Sequence, residues 1–528
     1  MIREASYYGK MAVGWWKFIR GAPVLDAEAA IRRGLAEREQ NFLDVLKRGV
    51  FESSVSPYRK LFAWAGCGYE DVKRAVDRDG LEAALEQLRS AGIYLTHDEF
   101  KGKKAIVRGG NSMTVEPEQF TNPLAEKVME GSSSGSRSRG TISPRSLEYL
   151  HHREAQESLY WREFGVYDRP IVMLMQILPS SVGLRRAVAY VRRGGRLDAW
   201  FTLGGRVHDA HYHAVTKLLV AESRLLGLRI PYPEALPHND FSPVAKWIAE
   251  RKAAGENVAM MSNVSSGVRV AAAARELGLD ISGSQFFVGA EQLTDAKCEA
   301  IERTGAGAHA RYGCSEIGMI GMACPEMRGN CVHLMEDSLA VLNHRKLAPL
   351  SGVEVDSLLF TTLRWWAPLL FVNAEMDDAG QIGPATCDCG LKRLGLTKQV
   401  DRIFSYGKLT GQGTTLVGSD LLDILERVLP DRFGGAPTDY QLVEKEGSNQ
   451  TEIELRVHPR LGLNSEDDVR RFFLQKLKKV WGGSMTERHW TRTEGVRVVF
   501  AEPFLVGKRK VLPLHLLGTT NESSIRPN

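Results

Sequence analysis

The sequence predicts an α/β protein with a large N-terminal domain and a small α+β C-terminal domain. Three observations predict this fold class: apolar runs of strand length alternate with helical segments in the middle of the chain, strand then follows strand with little helix, and the pattern changes again after about residue 402. Alternating strands and helices are typical of mostly parallel sheets covered by helices. The 528 residues also exceed what one hydrophobic core usually supports, so more than one domain is expected.

Residues 1–120 are predicted to be mainly helical, because apolar residues recur there at helical spacing. Asp26 stands where an N-cap is expected before the first clear run. The apolar positions of that run are Ile31, Leu35, Phe42, Val45 and Leu46.

Strands and helices alternate in the next part of the chain. The predicted strands are 171–178, 199–203, 258–261 and 286–288, with a helical segment at 210–226 between them. Between Cys331 and Val372 successive strand patterns predict a smaller β subdomain, at about residues 324–400. The N-terminal domain is therefore predicted to span residues 1–402.

Residues 403–528 are predicted to form the second domain. A helix is expected around 421–428, a hairpin from strands at 439–447 and 451–459, and a further helix at 467–480. This mixture is typical of a small α+β domain.

Composition excludes several classes of protein. The 69 basic and 64 acidic side chains leave a formal net charge of only +5, so nucleic acid is not an expected partner. Short basic runs occur at 101–104, 476–479 and 508–510, and we expect the first two to be solvated faces. No apolar run reaches the roughly 18 residues of a membrane span, and no leader pattern opens the sequence, so we expect a cytoplasmic protein.

Cysteine usage favours metal binding over disulfides. Of seven cysteines, four lie between Cys324 and Cys389. An odd number with this crowding is typical of a reducing compartment.

A stretch of small residues, GSSSGSRSRG at 131–140, has the composition of a phosphate-binding loop. Its backbone N–H groups, hydroxyls and guanidiniums can surround a polyphosphate. The candidates are Ser134, Gly135, Ser136 and Arg137. A flexible linker is the alternative interpretation.

Two later segments of the chain resemble the motifs of a known superfamily. Gly289, Ala290 and Glu291 follow an apolar strand, and Tyr312, Gly313, Cys314, Ser315 and Glu316 form a Tyr-Gly-x-Ser-Glu motif. Both are similar to motifs of the adenylate-forming superfamily, which includes the acyl-CoA synthetases. The resemblance implies that Gly289, Ala290 and Glu291 lie beside adenine, that Tyr312 stacks near it, and that Glu316 faces Mg²⁺.

Two more segments extend the resemblance. FVNAEMDD ends at Asp378, which the resemblance implies binds both ribose hydroxyls, with Asp377 at a position where the family has glycine. Arg402 resembles the arginine of the hinge between the domains, and here Asp401 stands where the family has glycine.

The C-terminal run GKRKVLP resembles the segment whose lysine enters the site during adenylation. A lysine ammonium can neutralise charge that develops on the carboxylate and the α-phosphate. Spacing from Gly507 favours Lys508, whereas the apolar run that follows favours Lys510, so both are candidates. The resemblance implies that residues 403–528 act as a lid.

Cys324, His333, Cys387 and Cys389 combine three thiols and an imidazole, which tetrahedral Zn²⁺ prefers. Proteins of the phenylacetate-CoA ligase-like branch carry a similar set, so we expect a structural zinc, with Cys331 as an alternative ligand.

The resemblance implies ATP-dependent activation of a small carboxylic acid to an acyl adenylate, with Mg²⁺, and transfer of the acyl group to CoA. Transfer to an amine or a protein thiol is one alternative, and an inactive zinc-containing binding protein is another. The sequence does not identify the acid. The assembly state is left open, with a homodimer as one alternative.

Overall fold

The computed structural model describes residues 2–132, 142–178, 180–202, 210–236, 240–290, 293, 295–347, 354–405, 409–411, 414–416, 424–434, 439–446, 451–478, 495–506, 510–511 and 514–517. Their buried apolar side chains form two clusters, one drawn from residues 11–403 and one from residues 424–498. The predicted domain boundary near residue 402 stays a prediction.

The N-terminal part is helical, as the periodicity predicts. Asp26 caps the second helix, because its Oδ1 accepts from Ala29 N at 2.9 Å. A short hairpin, β1 (Ile106–Arg108) and β2 (Asn111–Met113), follows the helices. The helices are α1 (Ile2–Arg20), α2 (Ala27–Ala36), α3 (Arg38–Leu46), α4 (Pro57–Trp64), α5 (Tyr69–Asp79), α6 (Leu81–Ser90) and α7 (His97–Phe100), with a π-turn at Lys47–Phe51 and a 3₁₀ turn at Pro117–Phe120.

An ion-pair bridge ties this helical part to the sheet. Glu82 on α6 accepts from Arg38 Nη2 on α3 at 2.9 Å and from Lys398 Nζ at 2.7 Å. Burial alone would raise the pKa of Glu82, but the two cations lower it to about 2.

A second hairpin, β3 (Met129–Ser132) and β4 (Ile142–Arg145), leads into α8 (Leu147–Glu163). Ser146 caps α8 by accepting from Tyr149 N at 3.1 Å. Buried residues occur on all sides of α8, as expected of a helix inside a large protein.

One mixed sheet of 12 strands organises the large core. Its order is β13-β14-β15-β16-β12-β11-β10-β9-β8-β5-β6-β7, and the strands from β10 to β7 are parallel. The parallel strands are β5 (Ile171–Leu174), β6 (Leu197–Thr202), β7 (Glu234–Ala235), β8 (Ala259–Asn263), β9 (Gln285–Gly289) and β10 (Gly307–Cys314). Connecting and covering helices are α9 (Val182–Arg192), α10 (Ala210–Leu225), α11 (Ser242–Ala253), α12 (Val264–Glu276) and α13 (Asp295–Glu302).

The strands expected in a smaller β subdomain continue this same sheet. The hairpin from β10 to β11 reverses the strand direction, and antiparallel pairing then runs to β13. These strands are β11 (Gly318–Met322), β12 (Val332–Leu334), β13 (Leu339–Leu347), β14 (Glu354–Thr362), β15 (Ala374–Pro384) and β16 (Lys398–Ser405), with α14 (Gly390–Leu394) before β16.

The second cluster surrounds a four-stranded sheet of order β21-β20-β19-β24. The predicted hairpin is confirmed as the antiparallel pair β19 and β20. The strands are β17 (Leu409–Gly411), β18 (Thr414–Leu416), β19 (Tyr440–Glu446), β20 (Thr451–Val457), β21 (Val496–Phe500), β22 (Leu505–Val506), β23 (Lys510–Val511) and β24 (Leu514–Leu517). The helical segments are Ile424–Val428 (π), Leu429–Phe433, Pro459–Leu461 (3₁₀) and Glu466–Leu477.

Across the parts of the chain that the structure describes, no helix combines the length and the apolar character needed to cross a membrane.

Candidate active site

The predicted nucleotide motifs meet at the carboxyl ends of two neighbouring parallel strands. Gly289 ends β9 and pairs with Arg311 of β10, directly before Tyr312 and Gly313. Ser315 and Glu316 lie in the turn from β10 to β11. In open α/β sheets, ligands bind in the crevice outside the carboxyl ends of the strands. The fold therefore brings the two motifs to a position suited to ligand binding.

Close backbone packing explains two glycines of these motifs. A Cβ on Gly289 would lie 2.7 Å from Arg311 O, and a Cβ on Gly313 would lie 2.4 Å from Gly318 O. Both neighbours are backbone atoms of a paired strand and cannot move aside cheaply. The pairing of β10 with β11 also shifts register between Tyr312 and Gly313, and such bulges often lie next to functional sites.

A hydrogen bond joins two of the predicted nucleotide residues. Tyr312 Oη donates to Asp378 Oδ2 at 2.8 Å, although 66 positions separate them in the chain. Asp378 lies on β15 and is 8% exposed, so its carboxylate sits at a largely shielded position. The contact places an aromatic ring and a carboxylate together at the end of the parallel sheet.

Strained backbone is concentrated around the predicted motifs. Within the described ranges, the non-glycine residues with positive φ are Ala290 (69°), Asn373 (51°), Asp377 (61°) and Arg402 (49°). Each such residue costs about 1–3 kcal/mol, and such residues cluster at functional sites. The conformation of Asp377 favours glycine, which is the residue that the motif resemblance places at this position.

Asp377 also lies close to a buried histidine. Its Oδ2 lies 2.8 Å from His97 Nδ1 of α7, and both side chains are 7% exposed.

Arg402, the predicted hinge arginine, is exposed on β16, near a register shift between β15 and β16.

Glu316 is buried and paired with a lysine that sequence reasoning missed. Lys101 Nζ lies 2.8 Å from Glu316 Oε1, and the two side chains are 7% and 9% exposed. The expectation that the basic run 101–104 is a solvated face is therefore wrong for Lys101. The physical reason is that the end of α7 packs beside the turn that carries Glu316, where Lys101 also lies 4.8 Å from the Phe100 ring. Lys104 of the same run is exposed, with its side chain 69% accessible.

Several predicted site residues lie outside the described part of the chain. They are Ser134, Gly135, Ser136 and Arg137 of the predicted phosphate loop, Glu291, and Lys508. Lys510 begins the short strand β23, and only its backbone is described.

The four predicted zinc ligands converge. The donor atoms of Cys324, His333, Cys387 and Cys389 all lie within 4.8 Å of one another, and all four residues are buried. His333 Nε2 lies 3.2 Å from Cys387 Sγ and 3.1 Å from Cys389 Sγ, and the two sulfurs are 3.5 Å apart. Ligands at the usual zinc distances of about 2.0–2.3 Å stand roughly 3.3–3.8 Å apart in a tetrahedron. The donor set and its spacing fit Zn²⁺.

The surroundings orient these ligands. His333 Nδ1 lies 3.0 Å from Leu396 O, which leaves Nε2 directed at the thiols, as in metal sites whose histidine is fixed by a carbonyl. Burial raises the pKa of the Cys324 and Cys389 thiols and lowers the pKa of His333. A divalent cation reverses this effect on thiols by stabilising the thiolate. Cys331, the alternative ligand, is not part of this four-residue group.

No family model and no curated protein matches the sequence. Among solved structures, 2-hydroxyisobutyryl-CoA ligase in complex with 2-HIB-AMP and CoA in the thioesterification state is similar, with a TM-score of 0.53, 14% identity, and coverage of 94% of this chain and 91% of that chain. An open conformation of that ligase gives a TM-score of 0.44, 14% identity and coverage of 91% of each chain. ATP-bound MatB from Rhodopseudomonas palustris gives 0.33, 13% identity and coverage of 76% and 68%.

Only the first of these three structures has a TM-score above one half. Because its sequence identity is low, this similarity is evidence for a shared fold alone. It spans nearly the whole of both chains, so the likeness concerns the complete architecture and not one common sheet. The chain therefore shares its fold with 2-hydroxyisobutyryl-CoA ligase.

Proposed function

We propose that this protein is an acid-thiol ligase that activates a carboxylic acid with ATP as an acyl adenylate and then transfers the acyl group to CoA. The observation that carries the proposal is the 2.8 Å hydrogen bond from Tyr312 to Asp378, which unites two separate nucleotide motifs at the end of the parallel sheet. The shared fold supports it, since the similar ligase was solved with an acyl adenylate and CoA.

In this proposal the nucleoside binds against the Tyr312 ring, beside the turn at Gly289, Ala290 and Glu291. The Asp378 carboxylate accepts from the ribose hydroxyls, which is the common use of a shielded carboxylate in sugar recognition. Ser134, Gly135, Ser136 and Arg137 would contact the phosphates through N–H groups, hydroxyls and a guanidinium.

Glu316 would hold Mg²⁺ together with the phosphate oxygens. A single buried carboxylate fits this role, because Mg²⁺ in nucleotide sites commonly takes one or two carboxylates and keeps several waters. When bound, the ion neutralises charge on the phosphates. Lys101, already 2.8 Å from Glu316, adds a second positive charge at the same carboxylate.

The chain positions the two reactants for in-line displacement. An oxygen of the substrate carboxylate forms a bond to the α-phosphorus of ATP as the bond to the β-phosphate oxygen breaks, and pyrophosphate leaves. Lys508 or Lys510 stabilises the charge that develops in this step. The CoA sulfur then attacks the acyl carbon, its proton is lost, and AMP leaves.

Rotation of a lid formed by residues 403–528 about a hinge at Arg402 would separate the two half-reactions. Such closures remove one set of groups from a site and admit another. The positive φ of Arg402 supports this assignment, since hinge residues absorb unusual backbone angles.

Cys324, His333, Cys387 and Cys389 would hold a structural Zn²⁺ of the kind expected for the phenylacetate-CoA ligase-like branch. All four ligand positions come from the protein, as in closed structural sites.

All seven cysteines are free, which supports a reducing compartment such as the cytoplasm.

The experiment that tests the proposal is release of pyrophosphate over a panel of carboxylic acids, with and without CoA, in wild type and Glu316→Gln. We expect acid-dependent release in wild type, and none in the variant because a neutral amide binds Mg²⁺ poorly. Release that does not depend on CoA, followed by acyl transfer to an amine or a protein thiol, would indicate a different acceptor. Equal activity of Glu316→Gln would remove the metal role.

A further inference from the structure

A buried cluster of arginines lies beside the proposed active site. We define the arginine cluster as Arg153 on α8, Arg185 and Arg186 on α9, and Arg311 on β10. Glu157 of α8 is their shared acidic partner: its Oε1 lies 2.8 Å from Arg311 Nη2, 3.3 Å from Arg185 Nη1 and 3.4 Å from Arg153 Nε. Three guanidiniums thus contact one carboxylate, and the charge of Arg186 also acts on it.

Positive charge exceeds negative charge in this cluster. Burial alone would raise the pKa of Glu157, but the surrounding guanidiniums hold it well below its usual range. Burial and the charge of Arg153 lower the pKa of Arg185 to about 10, despite the opposing effect of Glu157. The next acid on α8, Glu154, does not relieve the excess, because it pairs with Arg192 and Arg193.

Arg311 has donors that the described residues leave unused. Its side chain is 2% exposed, and its Nε and Nη1 have no hydrogen-bond partner among the described residues. Its guanidinium also lies over the rings of Tyr160 and Trp161, at 5.7 Å and 5.2 Å from their centroids. A buried guanidinium with unused donors destabilises the fold unless an anion accepts hydrogen bonds from those donors.

The position of the cluster separates it from the proposed nucleotide site. Arg311 and Tyr312 are consecutive on β10, so their side chains point to opposite faces of the sheet. Tyr312 reaches Asp378, whereas Arg311 reaches α8. Arg186 Nη1 lies 3.6 Å from Sδ of Met175, which directly follows β5.

The order in which successive strands are added to the parallel sheet reverses at β5. The chain proceeds from β5 outward through β6 and β7, and then resumes on the other side of β5 with β8, β9 and β10. Crevices at such switch points bind ligands in open α/β sheets. The cluster therefore extends from Arg186, which contacts the residue that follows β5, to Arg311, which directly precedes Tyr312 on β10.

We propose that the arginine cluster binds a second anionic group of the substrate, so that the acid activated by this protein carries a distal carboxylate or phosphate besides the reacting carboxylate. This inference rests on the proposed function, because it names the substrate class of the same site. Arg311 is the central specificity-determining residue, since its Nε and Nη1 are buried donors that no described residue uses, whereas its Nη2 contacts Glu157.

The test compares matched acids that differ only in the distal group: butyrate with succinate and glutarate, benzoate with terephthalate, and butyrate with 3-phosphonopropionate. We measure kcat/KM for pyrophosphate release at saturating ATP, and KM for ATP with each acid. Wild type should favour the acids with two anionic groups by about 10- to 100-fold, the usual range for hydrogen bonds to charged groups. Arg311→Met should abolish that preference, and Arg311→Lys should restore part of it.

Arg192→Met is the matched control. Arg192 is a buried arginine on α9, but Glu154 and the carbonyls of Phe18 and Gly21 occupy its donors. Its loss should lower stability without changing the ratio between the two acid classes. A preference changed equally in Arg192→Met and Arg311→Met would show that the cluster is structural, and this would overturn the proposal.

Two further outcomes are decisive. If Arg311→Met raises KM for ATP equally with every acid and leaves selectivity unchanged, the cluster serves the nucleotide phosphates and the inference is wrong. If no acid supports pyrophosphate release, the proposed function fails, and calorimetric titration of glutarate and terephthalate without ATP then tests the cluster separately. Binding that Arg311→Met abolishes supports an acid-binding site, and absence of binding by folded wild type refutes it.

Discussion

The buried pair of Lys101 and Glu316 supports a specific prediction about stability. Replacing Lys101 by Met removes the ammonium but leaves the carboxylate, which is 9% exposed and 2.8 Å from the missing charge. Methionine retains much of the apolar volume of the lysine stem, so packing against Phe100 is largely preserved. The perturbation is therefore mainly electrostatic.

The magnitude follows from the geometry. Two unit charges about 3 Å apart attract by roughly 6 kcal/mol at an effective dielectric constant of about 20. Desolvation of the two ions offsets much of this attraction, but the desolvation cost of the carboxylate remains when the ammonium is removed. Removing one partner of a buried pair typically costs about 3–5 kcal/mol. We expect Lys101→Met to destabilise the protein by this amount, and the double variant Lys101→Met with Glu316→Gln to recover most of it.

The assay is a melting temperature measured by calorimetry for wild type, both single variants and the double variant. Lys104→Met is the matched control from the same basic run, since its Nζ lies 3.4 Å from Asp98 Oδ2 at an exposed position. Exposed pairs contribute about 0–1 kcal/mol, so the control should melt close to wild type. Mg²⁺ with ATP should stabilise Lys101→Met more than wild type, because a cation at Glu316 replaces the lost charge.

Two results would refute this reasoning. If Lys101→Met melts like Lys104→Met, the ion pair does not stabilise the fold. If the double variant loses the sum of the two single effects, then the two residues act independently and their ion pair contributes no coupling energy.

Three further predictions concern other contacts. Elemental analysis should find one zinc per chain, and Cys387→Ser should lose both the metal and several degrees of melting temperature whereas Cys331→Ser keeps both; a metal-free wild type would contradict the site. Tyr312→Phe should raise KM for ATP by about 10-fold with little change in stability, since it removes one hydrogen bond to a carboxylate; an unchanged KM would separate this contact from nucleotide binding. Glu82 has a pKa lowered from 4.5 to about 2, so its contribution to stability is full above about 4.5 and disappears as pH falls toward 2; a melting-temperature difference between wild type and Glu82→Gln that does not shrink over that interval would contradict the ion-pair bridge.

Local patterns in the sequence were sufficient to predict the fold class and to name candidate residues for the site. The spacing of apolar residues predicts helices before residue 120 and alternating elements after it, because that spacing reports the face that each element buries. Short motifs predicted Tyr312, Glu316 and Asp378 as one group, and the structure joins Tyr312 to Asp378. The cysteine and histidine spacing also predicted the four residues whose donor atoms converge. The resemblance to motifs of adenylate-forming enzymes was needed to interpret these local patterns as a candidate nucleotide site.

Other features of the molecule could be recognised only in the tertiary structure. The strands after Cys331 carry an antiparallel pattern, but nothing local specifies that they extend the parallel sheet, because pairing partners are set by long-range hydrogen bonds. The same limit applies to Lys101, which lies 215 positions from its partner Glu316 and belongs to a run typical of solvent-exposed faces.

The sequence by itself determined the α/β fold class and the candidate residues of the proposed nucleotide and metal sites, because these depend on periodicity and on short motifs. Tertiary structure alone decided which charges are desolvated together. The i,i+4 spacing of Arg153 and Glu157 on one helix indicates that pair. No spacing in the chain indicates that Arg185, Arg186 and Arg311, from another helix and a strand, also act on Glu157. Burial and charge proximity are properties of packed elements, and a one-dimensional pattern does not contain them.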